Sequence, residues 1–211
     1  MATQHFNIGL DFGTYQSKVC ILHVHSEQQK HQFFEFDGLD GNKNFFLPSR
    51  LYMMNDGTFR YGFEPVDQYT KFFNYFKIAA AEDEEFQVLT EYSNHSYRKR
   101  FDIYTPETLS VLFITFVLFQ VENKLRIENK PKKTRGGGLL GMLRRTEEEV
   151  DQKITIQLGI PSEYSNSVNQ LRKRKYENIL VLSKLLMDKY EDLDSFLHTQ
   201  RDELIEEIQG N

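Results

Sequence analysis

Tryptophan is absent from this 211-residue chain, cysteine occurs once and proline five times. The single thiol, Cys20, excludes an internal disulfide and is compatible with a reducing compartment. Positive charge is not in excess: 26 Lys and Arg stand against 31 Asp and Glu, for a formal charge of −5. General nucleic-acid binding shows as a basic face on a basic domain, so no nucleic-acid partner is expected. No basic segment followed by an apolar run opens the sequence, so no signal peptide is expected. No apolar stretch reaches the roughly 18–20 residues that a membrane helix needs, so no membrane partner is expected and a cytoplasmic protein is the default. Two catalytic patterns are also missing. Gly136-Gly137-Gly138 lacks the Gly-Lys-Ser/Thr ending of a Walker loop, and no Ser-His-Asp or Cys-His set stands out, because Cys20 sits mid-strand as a small apolar residue. His23 and His25 alternate on one strand but have no Cys or carboxylate at ligand spacing, so a structural metal is not expected. The chain is long enough for one sizeable domain and short for two, and its 18 phenylalanines supply much of the apolar volume.

The most informative stretch is Phe6-Asn7-Ile8-Gly9-Leu10-Asp11-Phe12-Gly13-Thr14-Tyr15-Gln16-Ser17-Lys18-Val19-Cys20-Ile21-Leu22. Two apolar strand-like runs flank a turn that offers a carboxylate, a glycine and a hydroxyl. Gly13 would let the backbone approach a ligand and take positive φ without a Cβ penalty. Successive amides turned inward form an anion-binding concavity, and Asp11 is suited to a hydrated Mg²⁺. Asp-x-Gly-Thr also closes ordinary hairpins, so spacing alone leaves both alternatives open.

This run resembles the first phosphate-binding motif of the actin, hexokinase and Hsp70 superfamily, most closely the Hsp70 version. The resemblance implies a turn that embraces the β- and γ-phosphates of ATP. Asp11 would orient metal-bound water, Gly13 would permit backbone approach, and Thr14, Tyr15 and Gln16 would form the phosphate loop. The family usually carries a small hydroxyl residue where Tyr15 stands and often Asn where Gln16 stands.

Phe6 to Phe12, Lys18 to His25 and His31 to Phe36 read as an antiparallel meander, and Asp37 to Asn42 as a loop. Pro48 to Met54 and Thr58 to Gly62 flank Asn55-Asp56-Gly57, a strong hairpin signal. The Hsp70 family has a similar Pro-Ser opening, strand, acidic-Gly turn and strand ending in Gly. In that family a lysine assisting hydrolysis follows shortly. Here Phe63-Glu64-Pro65-Val66-Asp67 follows Gly62; Lys71 or Lys77 could reach the site, but neither stands at the matching spacing, and the role is left unfilled. The aromatic run Phe72 to Ile78 leads into Glu82-Asp83-Glu84-Glu85, so it is expected in the core and not as a base-stacking platform.

Thr105-Pro106-Glu107 is a helix start, and Leu109 to Val121 is apolar on nearly every side, which predicts a helix buried against more than one neighbour. Residues 129–152 are a composition break of basic, glycine, apolar and acidic blocks, expected as a flexible loop. Its Leu139, Leu140, Met142 and Leu143 either hook onto a protein partner or a membrane surface, or fold back on the domain. Lys153 to Gly159 reads as a strand closed by Ile160-Pro161. With Ser162-Glu163-Tyr164 and a helix from about Ser165 to Leu186, it resembles an Hsp70 strand that runs into Val-Pro-Ala-Tyr and a coupling helix. Arg172 to Lys175 is expected as a solvated helix face, and Asp188 to Ile208 as a further helical stretch.

The fold class expected from the resemblance is α/β: a ribonuclease-H-like (actin-like ATPase) lobe with a mixed sheet, flanking helices and an inserted small subdomain. Residues 1–38 and 103–211 would form the core subdomain and 39–102 the insertion. The implied function is the first lobe of an Hsp70-like, chaperone-type protein that binds ATP and Mg²⁺ at Asp11 to Thr14 when completed by a second ATPase lobe, from the missing C-terminal part or a partner chain. No Asp-x-Gly-Gly-Gly-Thr second phosphate motif, adenosine segment or substrate domain stands in these 211 residues, so ATPase activity is not assigned to the chain alone. The alternative is a non-catalytic protein-interaction module built on a degenerate ATPase lobe.

Overall fold

The computed structural model describes residues 4–24, 29–38, 41–81, 103–128, 152–159 and 167–210. Within these, the chain is a mixed α/β fold with flanking helices. The main sheet is built from β1 (Gln4–Asp11), β2 (Gln16–Val24), β3 (Gln29–Phe33) and β10 (Gln152–Leu158) in the order β10-β1-β2-β3, with the short β6 (Leu47–Pro48) added on β2. β1 and β2 are antiparallel, as are β2 and β3, while β10 lies parallel to β1. The two-residue period of the side chains explains which face is covered. Phe6, Ile8 and Leu10 of β1 and Ser17, Val19 and Ile21 of β2 are buried, whereas Gly9, Asp11, Gln16 and Lys18 between them are exposed.

A small hairpin pairs β4 (Phe36–Asp37) with β5 (Lys43–Asn44). A second sheet has the order β8-β7-β9 from β7 (Leu51–Met54), β8 (Phe59–Tyr61) and β9 (Tyr69–Phe73). The predicted hairpin is β7–β8. Gly57 takes φ +87° at its tip, and Asp56 accepts from the amide and hydroxyl of Thr58 at 2.9 and 2.7 Å. The predicted third strand is shorter than expected and stops at Phe33. On β2 the edge is paired to β3 from Cys20 to Val24, the Phe34 amide still donates to the Val19 carbonyl at 2.9 Å, and β6 takes the edge beyond at Gln16 and Ser17.

The helices are α1 (Phe76–Ala81), α2 (Pro106–Glu128), α3 (Ser167–Met187), α4 (Leu193–His198) and α5 (Arg201–Gln209). α2 starts where predicted, with the Thr105 hydroxyl accepting from the Thr108 amide at 3.1 Å. Its Leu109, Val111, Leu112, Phe113, Ile114, Val117 and Val121 have no exposed surface. At 23 residues it is longer than its apolar run suggested. By length and composition Pro106–Arg126 would cross a bilayer, yet 78% of its most apolar window is buried inside the fold, which makes it a core helix. Its hydroxyls find partners: Thr115 Oγ1 shares its one hydrogen between the carbonyls of Val111 and Ser183, at 2.8 and 3.1 Å.

The aromatic run after β8 is core as expected at Phe73 and Phe76, which are 0% and 1% exposed. In the basic stretch of α3, Lys173 and Arg174 are exposed while Arg172 and Lys175 are half-buried. The last helical stretch differs from expectation, being broken into α4 and α5 at Thr199-Gln200, both extended. Tertiary contacts hold the break. Arg60 Nη1 donates to the Leu197 carbonyl at 3.2 Å, and the Arg201 amide donates to the Gly57 carbonyl at 2.9 Å. The expected loop at residues 129–152 lies, apart from Gln152, outside the described residues, as do Leu139, Leu140, Met142, Leu143, Pro161 and Tyr164.

Phe113 is fully buried, with ring centroids 5.8 Å from Phe12 and 5.7 Å from Phe76. Phe113→Ala is expected to cost about 3–5 kcal/mol in urea unfolding, the usual price of an unfilled phenylalanine site.

Candidate functional site

The Asp11 turn is formed where β1 ends and β2 begins, beside the carboxyl end of the parallel strand β10. The Gly159 amide donates to the Leu10 carbonyl at 2.7 Å, which brings Gly159 beside Asp11. In open α/β sheets ligands gather outside the carboxyl ends of parallel strands. Phe12 anchors the turn: its ring is fully buried and stacks on Phe76 and Phe113.

Each residue expected at the site can be placed. Asp11 is exposed and lies 3.3 Å from Lys18 Nζ, its antiparallel partner across the strands. Both side chains are about half exposed, so the pair is worth no more than about 1 kcal/mol and a competing cation meets little resistance there. Gly13 is required for a reason other than the expected one. Positive φ among the described glycines occurs at Gly41, Gly57 and Gly62, not at Gly13. A Cβ at Gly13 would instead overlap the carbonyl oxygen of Gln16. Thr14 is half-buried. Tyr15 is 69% exposed, and its ring stands edge-on to Tyr75 with centroids 5.1 Å apart. Gln16 is exposed and pairs with Pro48.

The Gly13 amide donates to Ser17 Oγ at 3.3 Å, so it is engaged within the protein and not held open as a bare anion nest. Ser49 Oγ donates to the Gly13 carbonyl at 2.7 Å and lies 2.9 Å from Ser17 Oγ. A serine hydroxyl has one hydrogen. Ser49 spends its own on Gly13, so Ser17 must be the donor between the two. The result is a closed ring from Gly13 amide to Ser17 to Ser49 to Gly13 carbonyl, with both serines buried. The Ser49 amide adds a bond to the Tyr15 carbonyl at 2.9 Å.

Spacing along the sequence matched no lysine to the turn, and the fold places Lys77 there. The Lys77 ammonium donates to the Phe12 carbonyl and lies 5.5 Å from the Phe12 ring centroid, with the residue 9% exposed. Burial lowers its pKa from 10.5, and the negative charge of Asp11 opposes that shift. The Tyr176 hydroxyl holds the same residue by its carbonyl at 2.8 Å. No spacing rule could have found Lys77, because β9 intervenes between Gly62 and α1. The structure thus assembles a carboxylate, a buried ammonium and a tight glycine turn at the end of β1.

A cavity of about 220 Å³ lies elsewhere, lined by residues including Phe36, Leu47, Arg60, Tyr61, Phe116 and Leu197 and by none of Asp11 to Gln16. Among the described residues no group of three or more His, Cys, Asp and Glu is placed to hold a metal. No family model matches the chain, and no curated protein matches it.

Two outcomes test this geometry. Ser49→Ala leaves the buried Ser17 hydroxyl without its acceptor and is expected to lower unfolding free energy by about 1–3 kcal/mol. Lys77 supplies a pH signature. Its folded pKa lies below the unfolded 10.5, so the unfolded chain binds more protons between the two values and stability rises with pH across that window. Urea unfolding at stepped alkaline pH should show this rise in the parent and lose it in Lys77→Met.

Proposed function

We propose that this chain is a ribonuclease-H-like lobe of the Hsp70 and actin-like superfamily. In this reading it is the first lobe of a cytoplasmic, chaperone-type ATPase that binds the β- and γ-phosphates of Mg-ATP when a second lobe completes the cleft. Residues 1–38 and 103–211 would be its core and 39–102 its inserted subdomain. The observation that carries the reading is the Lys77 ammonium, buried at the Asp-x-Gly-Thr turn. An ammonium has three donors, and among the described residues the Phe12 carbonyl is its hydrogen-bond acceptor. Keeping a charge so far from water is unfavourable unless a partner neutralises it. A phosphate oxygen beside the turn supplies that partner, while Asp11 exchanges Lys18 for metal-bound water and Thr14, Tyr15 and Gln16 border the phosphates. The fold supports the reading as well: an antiparallel meander is extended at its first strand by the parallel β10, which the chain reaches through α2.

The second reading, a non-catalytic interaction module, draws on a different surface. Phe33, Phe45 and Phe46 are 60%, 50% and 51% exposed, and the rings of Phe33 and Phe45 are 6.3 Å apart. Clustered exposed aromatics mark contact surfaces.

Calorimetric titration with Mg-ATP decides between them. Under the nucleotide reading the turn keeps weak phosphate binding even before the second lobe completes the cleft, so the parent binds, and Asp11→Ala and Lys77→Met each weaken binding at least roughly tenfold, equivalent to about 1.4 kcal/mol. Variants that bind as tightly as the parent remove the site. A parent that releases no heat with Mg-ATP leaves the interaction module as the reading to pursue.

A further inference from the structure

Tyr75 is the one non-glycine residue with positive φ among those described, at +59°. In this left-handed region the Cβ of an L-residue crowds the following carbonyl, so glycine or asparagine is the usual occupant and a bulky ring is an outlier. Such conformations persist where surrounding structure over-determines them, and they cluster at functional sites. The surroundings here are explicit. Phe73 and Phe76 on either side are 0% and 1% exposed, so the chain must reverse between two buried anchors. The Tyr75 carbonyl then accepts the Ala79 amide at 3.1 Å and opens α1.

What glycine would not provide is the ring. Tyr75 meets Tyr15 edge-on, with an interplanar angle of 83°. Two residues later, Lys77 meets the Phe12 carbonyl. Both contacts join the same two segments: the turn at residues 12–15 and the start of α1 at residues 75–77. These contacts tie the first turn of α1 to the residue 12–15 turn.

We infer that Tyr75 is a positioning residue for Lys77: its left-handed bend turns the chain from β9 into α1, and its ring, seated against Tyr15, fixes the helix start so that the ammonium lands on the turn. Tyr15, which departs from the small residue of the resembled motif, is the other half of that seat. The inference concerns how Lys77 is held; only its consequence for ligand binding rests on the nucleotide reading.

The test measures how fast an amine-acetylating succinimidyl ester labels Lys77, by peptide mass spectrometry, in the parent and in Tyr75→Phe, Tyr75→Ala, Tyr75→Gly and Tyr15→Ala. Tyr69→Ala, which removes a ring elsewhere on β9, is the control. Loss of the seat should raise Lys77 labelling roughly tenfold in Tyr75→Ala, Tyr75→Gly and Tyr15→Ala by local opening, while Tyr75→Phe and Tyr69→Ala stay at the parent rate. Tyr75→Gly, which relieves the backbone strain and removes the ring together, separates the two: labelling at the parent rate in this variant overturns the role given to the ring. If Tyr75→Ala loses its circular dichroism signature, Tyr15→Ala and Tyr75→Phe carry the comparison, and equal rates in those two overturn the inference. Mg-ATP titration of the same proteins forms a separate arm. A parent that shows this labelling pattern without binding nucleotide supports the positioning role and removes the nucleotide reading.

Discussion

From Leu109 to Val121 α2 is apolar on nearly every side, and a helix of that kind must be covered almost all round. The surrounding aromatic rings show how this is done. Phe113 takes Phe12 of the main-sheet turn, Phe116 stacks on Tyr61 of the smaller sheet with centroids 4.9 Å apart, and Phe119 packs on Phe196 of α4 at 5.5 Å. On the α3 side the contact is polar as well as apolar, through Thr115 and Ser183, whose hydroxyls bond carbonyls across the helix pair. Two sheets and the C-terminal helices are thus held around one rod, and most of their buried apolar residues belong to one cluster.

That arrangement explains why the turn is a firm platform. Its second residue, Phe12, is locked into the core, so Asp11 and Gly13 on either side have little freedom although Asp11 faces solvent. The same packing carries the cation. Phe76 stacks on Phe12, and Lys77 follows Phe76 in α1. The buried charge at the turn is therefore delivered by aromatic packing and not by a neighbouring loop residue.

Features written within a few residues were legible in the sequence. Thr105-Pro106-Glu107 announces α2 because the cap and the first turn are local, and Asn55-Asp56-Gly57 announces a hairpin because its tip needs a left-handed residue. The strands β1, β2 and β10 followed from apolar runs bounded by turns. What could not be seen depends on partners far along the chain. The break between α4 and α5 has no proline or glycine; it is imposed by the carbonyl of Gly57 and the guanidinium of Arg60. Lys77 reaches the turn across 65 residues. Gly13 was legible as necessary, but its φ is not positive, and the close approach that excludes a Cβ is to the Gln16 carbonyl, 3 residues along the chain.

The ring of hydrogen bonds through Gly13, Ser17 and Ser49 bears on the order of events during folding. A simple hairpin completes its bend from residues within the bend. This one borrows a hydroxyl 36 positions downstream, so its final shape waits until β6 has docked on β2. Long-range closure of that kind is entropically slow. The bend that carries the acidic residue is therefore among the later parts of the molecule to acquire its mature form, although it lies near the beginning of the chain.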